Sequence, residues 1–207
     1  MRLPHPPLLV VTDRKQARQP LPVILEAAFA AGCRWASIRE KDLPPGEQLA
    51  LIRILLPVAR ACQAMLTLHG DPAIAHEGAA DGVHLAAGSD AKAARALLGK
   101  NALIGMSIHS AEEAAGLDGA VVDYAVLGPI HETESKPGYG PGLGHAGVRA
   151  VRRASNVPIV AIGGLTPALV PDLVSAGASG IAVMGAIMRA PDPGRETEQF
   201  LAALRTD

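Results

Sequence analysis

Aromatic side chains are scarce in this 207-residue sequence, with one Trp, two Tyr and two Phe. They stand apart, as Phe29, Trp35, Tyr124, Tyr139 and Phe200, which excludes the stacking platform of single-strand nucleic-acid binders. No basic run occurs, and 19 Lys and Arg against 20 Asp and Glu leave a formal net charge of −1, so phosphate backbones find no attractor. No apolar stretch approaches the length of a membrane span, and the opening Met1-Arg2-Leu3-Pro4-His5-Pro6-Pro7 is no secretory signal. The two cysteines, Cys33 and Cys62, show no metal or redox spacing and read as reduced, packed thiols of a cytoplasmic protein. The seven histidines form neither His-x-His nor His-Glu-x-x-His, which argues against a histidine-bound zinc site. With 49% hydrophobic residues against 19% charged ones the chain is not disordered. The expected partner is a small molecule, with no nucleic acid and no membrane; a homo-oligomer is left open.

What the sequence does have is regular alternation. Apolar, β-branched runs stand at Leu8–Thr12, Trp35–Arg39, Met65–Leu68, Gly82–Leu85, Leu103–Ser107, Tyr124–Leu127, Pro158–Ile162 and Gly180–Met184. Between them, helical spacing predicts helices at Pro22–Ala31, Gly46–Ala61, Pro72–Glu77, Ala91–Leu98, Ala111–Ala115, Ala146–Ala154, Pro167–Ala176 and Arg195–Leu204. Near-continuous apolar strands alternating with helices signal a parallel sheet covered by helices. Eight such units predict one (β/α)8 TIM barrel over residues 1–207. The competing open, doubly wound sheet wants a Gly-x-Gly-x-x-Gly after the first strand, where Thr12-Asp13-Arg14-Lys15 stands.

Barrel active sites lie where strands run into their following loops, and polar chemistry gathers there in this chain. Glycines after strands 7 and 8 (Gly163, Gly164 and Gly185) let backbone N–H groups approach an anion closely, which makes a phosphorylated substrate the expected ligand. Gly163-Gly164 serving only as a tight turn is the plainer reading. Arg39 and Lys41 lie two apart and point the same way on an extended strand end. They suit a second anion or a carboxylate, unless Glu40 and Asp42 neutralise them. Lys136 sits in a Gly/Pro-rich loop that reads either as a lid or as ordinary surface. His131 is the candidate general acid or base if it faces the pocket, with Ser107 the next candidate for proton transfer. His84 and His109 read as satisfying backbone groups at strand ends.

Seven segments in order resemble one family over nearly the whole chain. They are Val-Thr-Asp-Arg (11–14), Ile-Arg-Glu-Lys-Asp (38–42), Ala-Ala-Asp-Gly-Val-His-Leu (79–85), Gly-Met-Ser-Ile-His-Ser-Ala-Glu-Glu-Ala (105–114), Ser-Lys-Pro-Gly (135–138), Val-Ala-Ile-Gly-Gly-Leu-Thr-Pro (160–167) and Ala-Gly-Ala-Ser-Gly-Ile-Ala-Val-Met (176–184). They resemble thiamine phosphate synthase and its sister group, the thiazole tautomerases. The resemblance implies the barrel and a ligand phosphate at strands 7 and 8. It extends the expected binding set to Ser37, Arg39, Lys41, His69, Thr133, Ser135, Lys136, Gly163, Gly164, Met184 and Gly185.

The two branches imply different chemistry. The synthase joins a hydroxymethylpyrimidine diphosphate to a thiazole phosphate, with Mg²⁺ drawing off pyrophosphate. The tautomerase moves a proton, aromatising a carboxythiazole phosphate without a cofactor. Where the synthase pattern wants a pyrimidine-contacting glutamine, Ser37 stands, and its two metal aspartates are replaced by Gly70 and Ser89. Asp71 and Asp90, one residue downstream, are the substitute Mg²⁺ ligands if the synthase reading holds. Segments 105–110, 131–136 and 181–184 resemble the tautomerase branch, whose catalytic histidine position holds Pro129 here; His131, two residues on, would lie on the same side of an extended segment. The expectation is therefore an isomerase of the tautomerase type with His131 moving the proton. The alternatives are the synthase, a transferase, and a relative that binds its ligand without turnover.

Overall fold

All eight apolar runs become parallel strands, as their β-branched composition requires. The computed structural model describes residues 3–132 and 142–205. Its strands are β1 (Leu8–Val11), β2 (Trp35–Ile38), β3 (Met65–His69), β4 (Gly82–Leu85), β5 (Leu103–Ile108), β6 (Tyr124–Leu127), β7 (Ile159–Ile162) and β8 (Gly180–Val183). Each pairs with its sequence neighbour, and β8 returns to β1 with Leu9 opposite Ala182, so the sheet closes into the expected (β/α)8 barrel. The helices are α1 (Leu21–Ala30), α2 (Pro45–Ala61), α3 (Pro72–Glu77), α4 (Ala91–Leu98), α5 (Ala111–Ala115), α6 (Gly144–Ala154), α7 (Val170–Ser175), α8 (Gly185–Met188) and α9 (Pro193–Leu204). No helix among the described residues is long and apolar enough to cross a membrane.

Three local departures from the sequence pattern have physical causes. β2 stops before Arg39 because the Arg39 N–H donates to the Thr12 hydroxyl at 3.0 Å, not to a strand carbonyl. The segment expected as one helix over Pro167–Ala176 begins as a 3₁₀ turn, Pro167–Leu169, and restarts as α7. Pro171 has no N–H to donate back to Pro167, so an α-helical register cannot run through it. The four residues of α8 are too few for a periodic signal, and this helix is absent from the sequence expectation.

Alternation along each strand divides the core in two. Outward residues such as Leu8, Val10, Ile38 and Leu66 pack against Ile24, Phe29, Leu55 and Phe200 of the surrounding helices. Inward residues Leu9, Val11, Trp35, Leu103, Tyr124, Val126, Val160 and Ala182 form a second cluster inside the barrel. Trp35 and Tyr124 fill this interior edge to face, with ring centroids 4.7 Å apart at 84°. Cys33 and Cys62 are free thiols; burial pushes the Cys33 thiol up to about 11, so it stays protonated.

Space inside the barrel is the limiting resource. A Cβ on Gly105 would stand 2.0 Å from Cζ of Tyr124, so β5 carries glycine where the phenol ring crosses it. Gly105→Ala should therefore lower stability by about 2 kcal/mol or more, at the upper end of ordinary overpacking. Urea unfolding measures it, and an unchanged midpoint would show that Tyr124 moves aside freely.

Candidate active site

The carboxyl ends of the strands surround a cavity of about 630 Å³. One wall is the loop after β7 and the start of α8, where Gly163, Gly164, Met184 and Gly185 line the space. Gly163 and Gly164 have φ of +109° and +62°, so the turn itself demands glycine. A Cβ on Gly164 would lie 2.8 Å from both the Glu132 carbonyl oxygen and His131 Cβ, so a side chain there collides with the loop after β6. The turn alone thus requires glycine at these two positions, which also line the cavity. Gly185 differs, because its added Cβ would meet the tip of the flexible Arg189 side chain, 2.5 Å from Nη1.

Arg189 also lines the cavity, and its guanidinium donates to Gln16. Sequence reasoning missed this cation. Its signal was the spacing of four from Gly185, which on a helical turn brings the side chain back over the glycine.

A second part of the lining comes from Ser37 of β2, from Arg39 and Lys41 just after it, and from His69 of β3. Neutralisation of Arg39 by Glu40 fails on geometry. Buried Glu40 accepts from the Thr12 hydroxyl at 2.7 Å, the Arg14 N–H at 3.0 Å and the Arg14 guanidinium at 3.0 Å. Asp42 takes both Arg14 Nη1 (2.7 Å) and Lys15 Nζ (2.9 Å), and these hydrogen bonds hold its carboxyl well below the usual carboxylate range. Among the described residues the Arg39 guanidinium makes no hydrogen bond or ion pair, and it faces the cavity with its charge available to an anion.

Next to these residues lies a polar chain. His84 Nε2 is 2.9 Å from Ser107 Oγ and its Nδ1 is 3.3 Å from the Tyr124 hydroxyl, while His69 packs against the His84 ring at 4.6 Å. The reading of His84 as a backbone-satisfying histidine is corrected: its partners are side chains of β5 and β6, because the residue points into the barrel. Burial above all, with the charges of Lys41 and Arg39, pushes His84 down to about 3. His109, read the same way, has its ring Nδ1 3.3 Å from the Glu113 carboxylate, which also accepts the His109 backbone N–H at 2.6 Å, and it lines the cavity.

His131 does not line the cavity, although Pro129 does. The extended alternation breaks because the chain turns to hydrogen-bond along β7, with Ile130 N–H on the Ile162 oxygen (2.8 Å) and His131 N–H on the Gly163 oxygen (3.1 Å). The His131 ring lies by His145 instead, centroids 6.2 Å apart. Thr133, Ser135 and Lys136 lie outside the described residues.

The substitute metal ligands are engaged elsewhere. Asp71 Oδ1 caps α3 by accepting from the Ala73 N–H (2.8 Å), and Asp90 Oδ1 caps α4 through the Ala93 N–H (2.9 Å). Neither lines the cavity, and no three His, Cys, Asp or Glu side chains among the described residues gather to hold a metal. The residues present do not fit the Mg²⁺ site that the synthase branch implies.

Two measurements check this geometry. His84, neutral in the fold, takes up a proton near its ordinary pKa of about 6.5 only when unfolded, so stability should be full above that pH. It should then decline by up to about 1.4 kcal/mol per pH unit between pH 6.5 and about 3, whereas a flat urea midpoint down that range would mean a protonated fold. Gly185→Ala should displace Arg189 and weaken inorganic phosphate binding by about tenfold, with the melting temperature little changed. Unaltered phosphate affinity would remove Gly185 and Arg189 from the anion site.

Comparison with known proteins agrees with this architecture. The profile of the family described as thiamine monophosphate synthase matches residues 8–187. A putative thiamine-phosphate synthase of Geobacter sulfurreducens is 37% identical over 199 residues, covering 95% of this chain and 93% of that protein. The thiamine-phosphate synthase of Roseiflexus castenholzii is 37% identical over 194 residues, covering 91% of this chain and 83% of its own. A solved thiamine phosphate pyrophosphorylase from Pyrococcus furiosus superposes with a TM-score of 0.84 at 27% identity, covering 95% and 94% of the two chains. The chain belongs to the thiamine monophosphate synthase family, and with it to thiamine biosynthesis.

Proposed function

We propose that this protein is a thiamine-phosphate synthase, a transferase that joins a hydroxymethylpyrimidine diphosphate to a thiazole phosphate and releases pyrophosphate. What supports the reading is that the glycine turns after β7 and β8 and the two cations after β2 line a single cavity. The Gly163, Gly164 and Gly185 backbone, with Arg189, holds the thiazole phosphate. Arg39 and Lys41 hold the diphosphate. Relatives matched over nearly their full length and named for this activity favour it over the isomerase.

In that reading the pyrimidine methylene exchanges its bond to a diphosphate oxygen for one to the thiazole nitrogen. The bonding pair leaves with pyrophosphate, and charge grows on that oxygen as the bond lengthens. Preorganised cations act most strongly on charge that develops in the transition state, which makes Arg39 the side chain of greatest effect. Its freedom depends on Arg14, which engages Glu40.

A second reading is kept because of one observation: Asp71 and Asp90 serve as helix caps, so the carboxylates expected for Mg²⁺ are missing from the cavity. Proton transfer on a carboxythiazole phosphate needs no divalent cation, and Arg39 with Lys41 would then hold the carboxylate. In that case Ser107, which lines the cavity, stands ahead of His131 as the group beside the reacting atoms.

A two-arm assay on the purified protein decides. One arm supplies pyrimidine diphosphate and thiazole phosphate, with and without Mg²⁺; the other supplies the non-aromatic carboxythiazole phosphate. Thiamine phosphate should form in the first arm, and Arg39→Gln should lower its kcat/KM by about 10- to 100-fold, the effect of removing a hydrogen bond to a charged group. Turnover in the second arm alone would establish the tautomerase. Tight binding without turnover in either would identify a non-catalytic relative.

A further inference from the structure

The carboxylates nearest in sequence to Arg39 and Lys41 are already occupied. Glu40 is 3% exposed, and its two oxygens accept from the Thr12 hydroxyl at 2.7 Å, from the Arg14 N–H at 3.0 and 3.2 Å and from the Arg14 guanidinium at 3.0 Å. A carboxylate offers about four lone-pair sites, so these contacts fill it. Asp42 holds Arg14 through both oxygens, at 2.7 and 2.8 Å, and Lys15 at 2.9 Å. Asp13 lines the cavity, but its Oδ1 accepts the Lys15 N–H and its Oδ2 the Gln16 amide. Asp71 and Asp90 cap their helices and stay out of the lining. Glu132 enters the lining from the loop after β6, where its carbonyl oxygen lies against the Gly164 turn.

The Thr12 hydroxyl decides how the charges after β2 divide. It is fully buried and has one proton. A carboxylate can only accept, so that proton goes to Glu40, and the Thr12 oxygen accepts the Arg39 N–H at 3.0 Å. One buried hydroxyl thus ties Glu40 to the end of β1 and fixes the backbone from which Arg39 reaches the cavity. Arg14 and Lys15 offset Glu40 and Asp42, and the two charged residues that this segment gives to the lining, Arg39 and Lys41, are both positive.

We propose that the cavity takes the diphosphate as the metal-free anion, with Arg39 and Lys41 supplying its counter-charge, and that Thr12 is the positioning residue that keeps Glu40 away from both the cation and the ligand. The proposal rests on the reading of this cavity as a diphosphate site. Mg²⁺ binds through oxygens, and on a diphosphate it takes the lone pairs that the paired N–H donors of a guanidinium would take. A complexed diphosphate is also less negative, and the carboxylates beside Arg39 and Lys41 have no oxygen to spare for the far side of the ion. Mg²⁺ in solution therefore competes with the protein for the anion.

Titration calorimetry with inorganic pyrophosphate tests this without any turnover. At matched ionic strength, the affinity in excess Mg²⁺ should be about fivefold or more below that in EDTA, because most of the ligand is then complexed. Equal or tighter binding in Mg²⁺ would overturn the proposal and leave the synthase reading standing. No binding in either buffer would overturn both. A second arm addresses Thr12. Thr12→Val should weaken pyrophosphate binding in EDTA by about fivefold or more, and Thr12→Ser, which keeps the hydroxyl, should restore it. In an Arg39→Gln background Thr12→Val should cost nothing further, since its effect passes through Arg39. An equal loss in both backgrounds would make Thr12 a support of the fold alone and remove its positioning role.

Discussion

Closing a parallel sheet on itself sends every second side chain into a space only eight strands across, and the rest of this molecule follows from that confinement. Toward the amino ends the space is filled: Trp35 and Tyr124 meet edge to face, and Gly105 exists because the phenol ring leaves no room for a methyl group. Toward the carboxyl ends the inward positions change from apolar to polar, with Ser37, Arg39, His69, His84 and Ser107 succeeding the packed layer. The cavity is therefore a continuation of the core, floored by the same rings that stabilise it. Tyr124 belongs to both, its ring packed on Trp35 and its hydroxyl on His84.

Electrostatic sorting at the mouth does what sequence proximity alone would prevent. Arg39, Glu40, Lys41 and Asp42 alternate in sign, and a chain held straight would let neighbours cancel. Instead Glu40 turns to β1, where the Thr12 hydroxyl and Arg14 enclose it, and Asp42 is drawn to Arg14 and Lys15. Thr12 has two tasks in this clamp, since it donates to Glu40 while accepting the Arg39 N–H. The carboxylates are occupied from outside the barrel, and Arg39 faces inward with its charge available to a ligand.

The strands, their order and the glycine-rich end of the cavity were legible because they depend on local pattern: apolar runs, glycine placement and same-side spacing. What stayed hidden depends on contacts between distant strands. Nothing near His84 reveals that Ser107 and Tyr124, 23 and 40 residues away, will hold its two ring nitrogens. Asp71 and Asp90 carried two compatible signals, a metal ligand and a helix cap, and the Pro72 and Ala91 that follow them favour the cap. His131 was placed by strand alternation that fails once the chain bends to hydrogen-bond with β7. Arg189 escaped because the four-residue α8 that presents it leaves no periodic trace.

The central claim is that one cavity holds two anions at separate places, one on the glycine turns and one on the cations that follow β2. A crystal structure of the protein soaked with thiazole phosphate and inorganic pyrophosphate tests it most directly. The account places the single phosphate against the backbone of Gly164 and Gly185, and the pyrophosphate against Arg39 and Lys41. Both anions at one place, or a pyrophosphate bound outside the barrel mouth, would contradict it.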